Sequence, residues 1–132
     1  MPNEVLLKIG AVFHLICALF HIAFPKMFNW NKNLSELSGD KSVIIKQNLH
    51  IMNICLLLFW LVFAIVPFLF SSELLTTSIG KTILIFIIVF WIIRIFILQP
   101  IFMGVKTKES WQMILFFLFG FIFFVIPGLS LL

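Results

Sequence analysis

No tyrosine occurs among the 132 residues, and only five side chains are acidic. Charged residues make up 11% of the chain, against about 25% in a soluble domain. So few charges cannot cover a water-facing surface, which excludes an ordinary soluble globule. Eighteen phenylalanines without one tyrosine suit dry surfaces that face lipid. The two cysteines, Cys17 and Cys55, make no CxxC pair and no disulfide framework. Each lies inside an apolar block and reads as a small packing residue. There is no paired carboxylate, GxSxG, HExxH or phosphate loop. That weighs against an enzyme and leaves one catalytic option, a membrane enzyme with His14 or His50 as base. The net charge is +4, but the lysines sit between apolar blocks rather than in one patch. That pattern speaks for membrane topology and against nucleic-acid binding.

What the chain does have is apolar length. Hydrophobic residues are 63% of it, and a spanning helix needs about 20 mostly apolar residues. Four segments qualify, at about 5–24, 43–70, 80–102 and 111–131. The expectation is an all-α fold, one integral membrane domain over residues 1–132 built as a four-transmembrane-helix bundle. Barrel strands would alternate over about ten residues, and ILIFIIVFWII at 83–93 does not. The run from Val5 to Phe24 exceeds a signal h-region, holds His14 and His21, and lacks a small-residue cleavage site. It is expected to be a retained first span, stopped by Pro25.

Charge sets the orientation. Lys26, Lys32, Lys41 and Lys46 lie in or beside the 25–42 loop, and Lys106 and Lys108 lie in the 103–110 loop. The other side has Lys8 and Lys81. Positive loops stay inside, so both long loops are expected in the cytoplasm and both termini outside. Within the first loop, Met27, Trp30, Leu34 and Leu37 recur at helical spacing. This predicts a short interfacial helix on the membrane surface, with Lys26, Lys32 and Glu36 on its wet side. Gly39 ends that segment, and Asp40 or Ser42 can cap the second span.

Polar groups at membrane depth are costly and mark functional sites by default. Gly10, His14, Cys17 and His21 fall on one helical stripe, which should face other helices. Gln47, His50 and Asn53 share a face near the start of span two, and span three carries Trp91, Arg94 and Gln99. Pro100 should kink span three, because it cannot donate to the Phe96 carbonyl. The polar groups gather toward the lysine-rich side. Arg94 has no acidic residue at comparable depth, so it must snorkel, bond neutral acceptors or bind an anion.

The expected site is therefore a pocket of His14, His21, His50, Asn53, Arg94 and Gln99, open to the cytoplasmic leaflet. It would bind or move a small anionic or protonatable ligand. Two alternatives stand beside it. One is an accessory or assembly subunit of a membrane complex, the histidines acting as interhelical glue. The other is a redox protein holding haem b or a Cu or Zn ion, with His14, Cys17, His21 and His50 as candidate ligands. His14 and His21 are about 10.5 Å apart along one helix, too far to share an ion. The partners expected are the lipid bilayer and either further copies or other membrane subunits.

The segments HLICALFHIAFPKMFNW, LSEL and FWIIRIFILQP resemble a group of small four-span bacterial membrane proteins. Their pattern is a His-containing first span, a Phe/Pro–Trp–Leu loop and a Trp–Arg–Gln third span. The resemblance implies a bacterial cytoplasmic-membrane protein and brings no activity with it. The orientation is open to direct test. A membrane-impermeant amine reagent outside right-side-out vesicles should label Lys81 and spare Lys32 and Lys106. Labelling of the latter pair would reverse the topology.

Overall fold

The computed structural model describes residues 2–35, 40–103 and 107–131. Expectations placed on Glu36, Leu37, Gly39 and Lys106, and on the side chains of Asp40, Lys41 and Ser42, lie outside what it describes. Among the described residues every element is helical. Helix α1 is Pro2–Met27, α2 Trp30–Ser35, α3 Asp40–Leu69, α4 Ser71–Thr76 and α5 Ser78–Ile92. A π-helical segment, Ile93–Leu98, then leads into α6, Gln99–Met103, and α7 is Lys108–Leu129.

Local chemistry accounts for the ends. Glu4 in the first turn and Lys26 in the last complement the dipole of α1. Asn29 adopts φ 46° and turns the chain into α2, a conformation Asn tolerates better than most residues. The Asn33 amide donates to the Phe28 carbonyl at 2.8 Å and latches that turn. Thr77 caps α5, its hydroxyl oxygen accepting from the Gly80 N–H at 2.9 Å. Thr107 caps α7 in the same way at Ser110, at 3.2 Å. The sequence predicts a short helix in the first loop, and α2 is one; it does not predict α4, a short helix folded against α5. Gly80 makes that fold feasible, since a Cβ there would collide with the Glu73 carbonyl.

Among the described residues four stretches are long and apolar enough to cross a membrane: Pro2–Met27, Val43–Leu69, Ser78–Phe102 and Lys108–Leu129. They bury only 22–39% of their most apolar windows within the protein. The rest is a girdle of exposed Ile, Leu, Val and Phe, which only a hydrocarbon solvent makes cheap. The chain is a small multi-pass membrane protein.

The helices meet in two ways. Between α1 and α7 each helix offers a glycine to the other's phenylalanine. A Cβ on Gly10 would lie 2.5 Å from the Phe124 ring, and one on Gly120 would collide with the Phe13 ring. Without a hydrophobic force between helices in lipid, such close backbone approach supplies the packing. Between α3 and α5 the space is filled by rings instead: Phe59 on Phe90 at 4.8 Å, Phe63 on Phe90 at 5.4 Å, and Trp60 on Trp91 at 5.4 Å. Trp91 and Phe124 are fully buried where the two modes join.

Gly120→Ala should push the buried Phe13 ring out of its seat. The expected loss is about 1–3 kcal/mol, read as a lowered unfolding midpoint in detergent, and Phe13→Leu in the same chain should recover part of it.

Candidate functional site

Proline organises the polar groups. Pro67 sits inside α3 and has no N–H, so the Phe63 carbonyl four residues earlier loses its intrahelical donor. The His14 ring of α1 takes that carbonyl at 2.9 Å through Nδ1. The Trp91 indole N–H donates to His14 Nε2 at 3.1 Å. An indole N–H can only donate and a carbonyl can only accept. His14 is therefore the neutral tautomer with its proton on Nδ1 and both nitrogens engaged. Its ring is stacked with Phe124 at 4.6 Å and with Trp91 at 5.6 Å. One fully buried side chain thus touches all four spans.

Pro25 repeats the device in the other direction. Sequence pattern places the end of span one at Phe24, yet α1 runs through Pro25 to Met27. The carbonyl that Pro25 strands is that of His21, and the Asn53 amide of α3 donates to it at 2.8 Å. Asn53 Oδ1 accepts in return from His21 Nδ1 at 2.9 Å. So α1 supplies the donor for the proline of α3, and α3 supplies the donor for the proline of α1. A polar bond between membrane helices averages only about 0.6 kcal/mol, whereas a backbone carbonyl left bare in lipid costs several. The exchange matters chiefly for the penalty it removes.

Arg94 lies on the π-helical segment, half-buried. Its guanidinium donates to Gln99 Oε1 at 2.6 Å and covers the Phe117 ring at 4.5 Å. The Gln99 N–H bonds back to the Arg94 carbonyl five residues earlier, so the two residues clasp through side chain and backbone alike. The distortion expected at Pro100 takes this form, a wide turn ending on the preceding residue. Both partners of the cation among the described residues are neutral.

The structure divides the expected site residues. His21 and Asn53 bond each other, Arg94 and Gln99 bond each other, and His14 lies deeper between Phe63 and Trp91. His50 stands apart: it is exposed and meets Trp30 edge-on at 5.1 Å. Cys17 is buried and Cys55 exposed. Among the described residues no three His, Cys, Asp or Glu side chains cluster as a metal site. The one lone pair of His14 is already used by Trp91, while Nε2 of His21 makes no hydrogen bond among the described residues.

Three participants escape sequence reasoning. Pro67 carries the decisive signal, a proline within an apolar span, but its consequence falls four residues upstream. Phe117 looks like any other lipid-span phenylalanine. Trp60 is 4% exposed and its indole N–H has no partner among the described residues, a state invisible before the neighbours are placed. Its ring lies between the histidines, 5.3 Å from His14 and 6.4 Å from His21. Comparison with protein families, curated proteins and solved structures finds no match to this chain.

His14→Phe keeps the ring and strands both the Phe63 carbonyl and the Trp91 N–H. The expected cost is about 1–3 kcal/mol for each stranded group. Adding Pro67→Ala gives the carbonyl an intrahelical donor again, so the double variant should unfold at a higher midpoint than His14→Phe alone. Additive losses would separate His14 from Pro67.

Proposed function

We propose that this membrane protein is non-enzymatic and binds a small anionic or protonatable ligand at the lysine-rich end of its bundle. The observation that carries the reading is Arg94, a cation within a span whose partners, Gln99 and Phe117, are both uncharged. An arginine at depth costs at least about 2.5–3.5 kcal/mol, and an anion offsets that cost better than an amide does. One guanidinium nitrogen is committed to Gln99, which leaves further N–H groups to face a ligand. Among the described residues, His21 Nε2 and the Trp60 N–H are further polar atoms without a hydrogen bond. Asn53 and Gln99 then hold His21 and Arg94 in place, and His14 anchors the helices behind them.

The setting belongs to the same proposal. The lysine distribution and the resemblance support a bacterial inner membrane, long loops in the cytoplasm and both termini outside. Four short spans enclose little volume, so moving a ligand across the bilayer would call for several copies. A second reading, an assembly subunit without chemistry of its own, is favoured by one observation. Every polar atom of the His14 ring and the Asn53 amide is already bonded within the bundle. A haem or metal site draws less support, since His21 alone of the first-span histidines keeps a free lone pair.

Octanoate titrated into the purified protein should change tryptophan emission to saturation, since Trp60 and Trp91 flank the site. Arg94→Gln should weaken that response at least tenfold, about 1.4 kcal/mol, and Arg94→Lys by less. A folded Arg94→Gln protein with an unaltered response would leave the assembly reading in place of the ligand one.

A further inference from the structure

We infer that the cleft between α2 and the first turns of α3 is a separate site for a phosphate group at the membrane surface. The cleft has a volume of about 140 Å³ and is lined by Trp30, Leu34, Ser35, Lys46 and His50. It is held open by construction. The left-handed turn at Asn29 folds α2 back toward α3, the Asn33 latch fixes that turn, and Trp30 is buried edge-on against His50.

The chemistry of the lining is one-sided. Lys46 brings a full positive charge, and none of the described lining residues is acidic. The Lys46 ammonium, the His50 ring and the Trp30 indole N–H make no hydrogen bond among the described residues. Ser35 donates its hydroxyl proton to the Lys32 carbonyl at 2.6 Å, so toward the cleft it can only accept. The free polar groups are thus a cation and ring N–H donors, a set that fits an anion rich in acceptor oxygens. Lysine meets phosphate as a point charge, and tryptophan settles at headgroup level.

Depth points the same way. The apolar stretch of α3 opens at Val43, so Lys46 lies about 4.5 Å and His50 about 10 Å along the helix from that edge. A span of 27 residues measures about 40 Å, the thickness of a bilayer with its headgroup regions, so Lys46 falls near the boundary between headgroups and hydrocarbon. The site does not involve Arg94, and His50, which the sequence pattern grouped with the deeper polar residues, belongs here. The shared chemistry is a phosphate ester or phosphate ion. Its source is either an anionic phospholipid headgroup or phosphate from solution.

The test uses the full chain in detergent with mixed phosphatidylglycerol and phosphatidylcholine, read by native mass spectrometry. The protein should retain phosphatidylglycerol preferentially. Lys46→Gln should lower that retention at least fivefold, Lys46→Arg should preserve it, and Lys81→Gln, on the opposite side, should leave it unaltered. Inorganic phosphate that displaces the lipid would mark a site for soluble phosphate as well. Lipid that resists it would mark the headgroup as the ligand. Equal retention in Lys46→Gln, or equal loss in Lys81→Gln, would overturn the inference. Lys46→Gln should also keep the octanoate response, so failure here and failure at Arg94 remain distinguishable.

Discussion

A backbone carbonyl without a donor in its own helix is the constraint on which this bundle depends. Pro67 leaves the Phe63 oxygen bare in the middle of a lipid-facing helix, and water is not there to cover it. His14 resolves the problem and in doing so fixes much else. Its proton must sit on Nδ1, so Nε2 becomes an acceptor and Trp91 must bring its N–H to it. The stacked Phe124 ring then fixes how α7 approaches, and the glycine at position 10 gives that ring room. A buried histidine of this kind is committed on both nitrogens and on its ring. It has little freedom to titrate or to bind a metal.

The polar groups of the spans fall into two sorts on that basis. His14, Asn53 and the first nitrogen of His21 are consumed in repairing helices that prolines interrupt. Arg94, the second nitrogen of His21 and the Trp60 N–H are not. A purely structural role would account for the first sort and make the second wasteful, because each unspent donor or charge at that depth carries a penalty. The ligand reading rests on that remainder rather than on the presence of histidines as such. The π-helical turn beside Pro100 supports the distinction. It lets Gln99 grip Arg94 through both backbone and side chain, a restraint suited to presenting a guanidinium in one place.

Much of the architecture was legible in the sequence because lipid imposes a simple code. Length and apolarity give the four spans, and the stripe of Gly10, His14, Cys17 and His21 faces inward as its spacing requires. What the pattern misjudged was proline. Pro25 reads as a stop and is instead crossed, because a partner helix supplies the missing donor. Periodicity within one helix carries no information about a donor four residues away on another. The same limit explains why His50 looked like a companion of His21. Sequence places both near the lysine-rich side, while side-chain direction sends one to Asn53 and the other to Trp30.

The reciprocal repair between α1 and α3 also bears on how the chain is made. Both stranded carbonyls and both of their donors lie within the first 69 residues. The first two spans can therefore satisfy each other's backbones as a hairpin while the remainder is still being synthesised. Among what that hairpin leaves over is the acceptor Nε2 of His14, facing the place where Trp91 will arrive. Insertion order is thus written into the bonding: the early pair closes its own defects and presents a docking point to the later pair.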